Sequence, residues 1–238
     1  MHELSSFEEA KIEVRTTADG SPTLYVPALD EHYHSRHGAA QESRHVFIEA
    51  GLGPLLAAGL GRPDEGMMQI LEVGLGTGLN ALLTLEAATA VGALIAYDGY
   101  ETYPLPPDMI AALLPQWADN MALSIAFKRL HAAPWGEVEE FNEVLFLTKL
   151  HEPVQQAALG TDFYDLIYFD AFAPEKQPEL WTEAVFAKLY AAAAPGAVLV
   201  SYCAQGQFRR NLRAAGWLTE KLPGPPGKRE MTRARKPA

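Results

Sequence analysis

Cysteine is almost missing from this 238-residue chain. Cys203 stands alone, so neither an internal disulfide nor a cysteine-built metal cluster can form. Long apolar runs are missing too. The runs present, such as residues 55–60 broken by Gly59, are far too short for a bilayer-spanning helix. The first ten residues carry His2, Glu3, Glu8 and Glu9 and lack the basic-then-apolar plan of a signal peptide, so a cytoplasmic protein is expected. Basic side chains are in deficit. With 19 Lys and Arg against 30 Asp and Glu the net charge is -11, which argues against broad, nonspecific nucleic-acid binding. Residues 227–238 are the exception, where Lys228, Arg229, Arg233, Arg235 and Lys236 face one acid, Glu230. A basic end on an acidic body reads more readily as a solvated tail than as an anion-binding element.

What the chain does have is apolar material, 48% of its residues, enough for one large core. Residues 1–60 alternate apolar and polar in places (Ile12, Val14; Leu24, Val26), hold His32, Tyr33, His34 and His37, and turn helical in pattern from about 41 to 60. From about 66 to 205 the chain repeats apolar strand, glycine- or proline-rich turn, and helix. Strands are predicted at 68–73, 93–97, 164–169 and 197–202, helices at 78–90 and 180–193. The near-continuous apolar runs suit central parallel strands covered on both faces. Together these predict an α/β fold with a doubly wound, mostly parallel sheet, residues 1–60 being an N-terminal extension packed on a core of 61–238. Residues 217–222 and 230–234, joined by the PGPPG at 223–227, read as a closing hairpin.

Residues 70–80, ILEVGLGTGLN, follow the first apolar run and open a helix whose stripe is Leu79, Leu82, Leu83 and Ala87. Gly74, Gly76 and Gly78 permit a tight turn and close approach to a ligand. A bare G-x-G-x-G could equally serve a dinucleotide. Glu72, two residues before the first glycine, would repel a pyrophosphate there but could reach the amino group of S-adenosylmethionine, directly or through water. A ribose-binding acid is then expected near the end of the next strand, roughly 20 residues on. Glu101, in YDGYETYPL at 97–105, lies there, and Asp98 is read as a turn former before Gly99.

The most informative stretch is 164–181, YDLIYFDAFAPEKQPELW. Asp170 ends an apolar run, where the carboxyl ends of central strands face the ligand crevice. A carboxylate at that point could bind an arriving ammonium and help remove its proton. Phe172, Pro174 and Trp181 could wall a planar substrate, although Trp181 reads equally well as a packing residue. Asp165, at the far end of the strand, reads as structural.

These motifs resemble the MnmC-like transfer-RNA methyltransferases of the stand-alone MnmD type. The likeness runs through 71–80, YETYPL at 100–105, DAFAP at 170–174 with Pro178 and Trp181, 206–216 with Arg209 and Arg210, and GKREM at 227–231. Upstream, DEHYH at 30–34 continues to Glu42, Val46 and Phe47. The resemblance implies methyl transfer from S-adenosylmethionine to 5-aminomethyl-2-thiouridine at the tRNA wobble position, giving the 5-methylaminomethyl form. It implies a cofactor site of Glu72, Gly74, Gly76, Gly78, Asn80 and Glu101, with Asp170 holding the substrate amine beside the cofactor. Phe172, Lys228 and Arg229 would meet the nucleotide. Fused members carry a second, FAD-dependent oxidoreductase domain, for which this chain is too short. The acidic body departs from what a tRNA enzyme would carry and leaves the basic end as the main expected contact. Methylation of a small-molecule amine on the same fold is the alternative, favoured by the negative charge. His32, His34 and His37 lack a suitable fourth ligand, so no metal is expected and a polar lid or surface strand is the reading kept for them.

Overall fold

Chains of buried Ile, Leu, Val and aromatic residues make strands where both faces are covered, and four such runs form the middle of the sheet. The structure is a computed structural model and describes residues 12–17, 20, 22–33 and 38–238. It starts with three short antiparallel strands, β1 (Glu13–Thr16), β2 (Pro22–Val26) and β3 (Glu31–His32). A helical segment follows, built of α1 (Ala39–Ser43), a π-helical stretch Arg44–Leu52, and α2 (Gly53–Ala57). Then come β4 (Met68–Val73), α3 (Leu79–Val91), β5 (Ile95–Tyr100), α4 (Pro107–Leu113), α5 (Met121–Ala132), β6 (Val138–Phe141) and β7 (Leu145–Leu150). The remainder is β8 (Tyr164–Phe169), α6 (Glu183–Ala192), β9 (Ala193–Ser201), α7 (Gly206–Ala214), β10 (Leu218–Pro223) and β11 (Glu230–Arg235).

The large sheet runs β10-β11-β9-β8-β4-β5-β7-β6. The neighbours from β9 to β7 are parallel, while β11 and β6 are antiparallel to theirs. The expected doubly wound, mostly parallel sheet is therefore present. Strands β5 and β9 are displaced and longer than expected, at 95–100 and 193–201. Chain order reverses at β4, which has β8 on one side and β5 on the other, and this opens the crevice at the strand ends.

Alternation along the strands feeds two cores. Ile70, Tyr97 and Tyr168 pack with Leu82 of α3 and with Val46, Phe47 and Leu52 of the helical segment. Leu71, Val73, Ile167 and Phe169 face the other way, onto Phe186 of α6 and Phe208 and Leu212 of α7. The helical segment lies close to the sheet because Gly51 has no side chain. A Cβ there would meet Val200 Cγ2 at 3.0 Å.

One expectation is overturned here. Much of the basic end is not a solvated tail but the inner strand β11, with Met231, Thr232 and Ala234 buried. Its alternation lets the apolar side chains enter the core while the cations reach acids at the surface. Arg233 and Arg235 meet Glu220, and Lys236 meets Asp162. His34, His37 and residues 1–11 lie outside the described residues, and so does most of the histidine reading. Among the described residues no helix is long and apolar enough to cross a membrane.

Candidate active site

The turn after β4 takes its path because its glycines occupy the left-handed region, with φ of 88° at Gly74, 51° at Gly76 and 72° at Gly78. At Gly74 the need is also steric, since a Cβ would stand 2.7 Å from the Asp170 carbonyl oxygen. The turn is braced from behind by His131, whose Nε2 lies 3.2 Å from the Thr77 carbonyl. Burial lowers the His131 pKa to about 4, so the neutral ring donates this bond at physiological pH.

Glu101 sits just beyond β5 and closes the same turn from the other side. Its carboxylate accepts from Gly76 N at 2.9 Å and from Tyr103 N at 2.7 Å. Burial raises its pKa and these backbone donors oppose the rise. Gly74, Gly76, Glu101, Asp170 and Phe172 line one cavity at the strand ends. Tyr33 packs edge-on against Phe172, ring centroids 4.9 Å apart, and narrows the space to ≈ 60 Å³. Asp98 is not a turn residue but lies within β5, accepting from the Tyr164 hydroxyl at 2.7 Å.

Asp170 and Glu72 fall on the same face of the sheet, below the glycine turn. Asn80, on the first turn of α3, donates its Nδ2 to both, 2.8 Å from Glu72 Oε1 and 2.8 Å from Asp170 Oδ2. The Tyr97 hydroxyl donates to Glu72 Oε2 at 2.7 Å. Glu72, expected to reach a cofactor amino group directly or through water, thus has both carboxylate oxygens engaged by side chains of the protein. It is 0% exposed, does not line the cavity, and is turned toward α3 by strand alternation. Burial, reinforced by the neighbouring Asp170 charge, holds the Glu72 pKa well above the carboxylate range. Asp170 is raised as well, by burial first, with Asn80 opposing. Asn80 Oδ1 is buried without a hydrogen-bond partner.

A second cleft of ≈ 490 Å³ adjoins Asp170 along the chain, lined by Pro174, Tyr202, Gln205, Lys228 and Arg229 among others. That volume suits a nucleoside. The cleft is divided from the first cavity by Tyr202, whose hydroxyl donates to the Ala171 carbonyl at 2.8 Å. Arg229 is exposed and has no acidic partner among the described residues. Lys228 is turned inward onto Glu42. Arg209 is not solvated, as helical arginines commonly are. It is 5% exposed, bonded to Glu230, Thr232 and Met231. Trp181 is buried, its Nε1 donating to the Phe172 carbonyl, and it packs on Phe169 and Phe208. The sequence assigns no role to Tyr202 of the second cleft or to Glu152 of the first cavity, and names Tyr33 and Glu42 only within the N-terminal motif. Only position could have signalled Glu152, which follows the end of a strand beside β5.

Residues 117–237, half of the chain, match the model of a family of S-adenosyl-L-methionine-dependent methyltransferases. The chain belongs to that family. The methyltransferase is similar to the tRNA 5-methylaminomethyl-2-thiouridine biosynthesis bifunctional protein MnmC of Aromatoleum aromaticum, at 34% identity over 233 residues, covering 92% of this chain and 34% of the relative. It is similar to the protein of the same name from Pseudomonas fluorescens at 31% identity over 213 residues, covering 86% of this chain and 32% of the relative. The methyltransferase thus spans about a third of the length of these curated relatives. Among solved structures, MNMC2 from Aquifex aeolicus superposes with a TM-score of 0.74 at 25% identity, covering 97% of this chain and 73% of that one. The MnmC-like resemblance and the S-adenosylmethionine cofactor read from the motifs are both borne out.

Proposed function

We propose that this methyltransferase methylates the primary amine of 5-aminomethyl-2-thiouridine at the tRNA wobble position. The observation that carries the reading is Asp170, a carboxylate held by Asn80 in the wall of the strand-end cavity that the glycine turn also lines. The names of the MnmC relatives, which specify 5-methylaminomethyl-2-thiouridine biosynthesis in tRNA, support the substrate.

The residues fit the cofactor. The bare glycine turn lets a ligand approach backbone, Glu101 offers a carboxylate for a ribose diol, and Asn80 Oδ1 awaits a donor. S-adenosylmethionine supplies an electrophilic sulfonium methyl group, which leaves as the methyl of a new N–C bond while the sulfur becomes a neutral thioether. The amine arrives as an ammonium and must lose a proton to expose its lone pair. Asp170 binds that ammonium, aims its nitrogen, and accepts the proton or passes it to water. The raised pKa of Asp170 makes it a better base than an ordinary aspartate and disfavours its charge in the empty site. A cation in the cavity opposes both effects, favouring the carboxylate that binds it and lowering its basicity. Phe172 and Arg229 flank the path of the base and its phosphate.

The test is transfer of labelled methyl groups to undermodified tRNA, set against a metabolite extract. The expected result is label in tRNA, released on digestion as 5-methylaminomethyl-2-thiouridine. Label confined to the metabolite fraction overturns the substrate and selects a small-molecule amine.

A further inference from the structure

Lys228 was expected to face a nucleotide, yet its ammonium is already engaged. It pairs with Glu42 of α1, 186 residues away in sequence, and lies 4.2 Å from the centroid of the Tyr202 ring. A carboxylate on one side and an aromatic face on the other is a general solution for holding an alkyl ammonium. Glu42 is deep in this arrangement, its side chain 10% exposed, so it requires a cation beside it. Tyr202 is fixed by its bond to Ala171, the residue after Asp170. Both members of the pair act on Asp170. After burial, which raises its pKa most, the Glu42 charge raises it further and Lys228 lowers it. Tyr202 and Lys228 thus line the second cleft as part of an ammonium box whose tyrosine is bonded to the backbone next to Asp170.

The side chain of Lys228 ends in a methylene ammonium, and so does the substrate expected above. We infer that Glu42 and the Tyr202 ring form an entry subsite that receives the substrate ammonium before it passes to Asp170, and that Lys228 fills this subsite until the substrate amine displaces it. The exchange leaves the charge of the box unchanged. It also gives a basis for choosing an aminomethyl uridine over an unmodified one, since a wobble uridine without the amine cannot replace the cation that it evicts.

This inference rests on the amine substrate proposed above, and the experiment separates the two. Affinities are measured for two tRNAs differing only at the wobble base, one carrying 5-aminomethyl-2-thiouridine and one plain uridine, with parent, Glu42→Gln and Lys228→Met proteins. The parent should prefer the aminomethyl tRNA. Glu42→Gln should lose roughly 10-fold of that preference, the scale of one charge-assisted hydrogen bond. Lys228→Met should increase it, because the competing ammonium is gone. A folding defect moves both variants in the same direction, so opposite shifts are diagnostic. If Lys228→Met weakens both tRNAs equally, Lys228 is a plain phosphate ligand and the inference is overturned. It is likewise overturned if Glu42→Gln discriminates as the parent does. A parent that binds neither tRNA overturns the proposed substrate itself.

Discussion

At the scale of single residues the site turns on two carboxylates joined by one amide. Asp170→Asn keeps the size and an acceptor but removes charge and basicity, and should slow single-turnover transfer by roughly 10²–10⁴ while leaving cofactor affinity nearly unchanged. The same substitution has a thermodynamic signature. Because the folded protein favours the protonated Asp170, the stability it contributes is full at low pH and is lost as pH rises through its raised pKa. Asp170→Asn should therefore melt higher than the parent at neutral and alkaline pH, with the gain shrinking as pH falls, in thermal melts of the ligand-free protein. Glu101→Ala removes charge-assisted hydrogen bonds worth roughly 1.5–3 kcal/mol, so calorimetric titration should show S-adenosylmethionine binding weakened about 10- to 150-fold. Unchanged affinity would remove Glu101 from the cofactor site. Asp170 and Glu101 were legible in the sequence because strand ends and glycine turns mark the crevice before any side chain is placed. Glu72 was legible as a strand-end acid before the glycine turn, but its partners Asn80 and Tyr97 were not. Which way a strand-end side chain turns depends on what packs against each face, and Tyr97 and Asn80 decide that only in three dimensions.

At the scale of elements, the strands read correctly were those with unbroken apolar runs, β4 and β8 above all. The hairpin β6–β7 was missed because Glu139 and Glu140 interrupt its first strand, which lies at the edge of the sheet with Val138 exposed. Edge strands tolerate charges that a central strand would not. The β10–β11 hairpin was read as such, but not its insertion beside β9. That insertion is held by Arg209 of α7, whose guanidinium bonds Thr232 Oγ1 at 3.0 Å and the Met231 carbonyl at 3.3 Å. Arg209→Met should lower the stability by about 1–3 kcal/mol, through buried acceptors left without a donor. Urea unfolding would show this as a lower midpoint at unchanged slope. A midpoint equal to the parent's would mean that packing alone seats the hairpin.

For the molecule as a whole, the excess of acid is used internally. Glu42, Asp162, Glu220 and Glu230 pair with Arg209, Lys221, Lys228, Arg233, Arg235 and Lys236, while Arg229 is exposed at the second cleft. Binding of tRNA should then depend on salt only weakly, and Arg229→Ala should reduce the slope of log affinity against log salt by about 1. A steep slope that survives this change would point to a docking surface elsewhere. None of these pairings could be read from the sequence, where a run of Lys and Arg looks the same whether or not acids lie opposite it. The position of β11 has a consequence for how the protein is made. The outer edge of β9, Val198 to Ser201, is covered by residues 232–235, which leave the ribosome after every residue proposed to touch the cofactor. Until they emerge, the nascent chain holds a finished glycine turn after β4 and, two strands away at β9, a bare apolar strand edge, the kind of surface that recruits chaperones or aggregates. A message truncated just before codon 230 should therefore yield an insoluble product rather than a weakened enzyme.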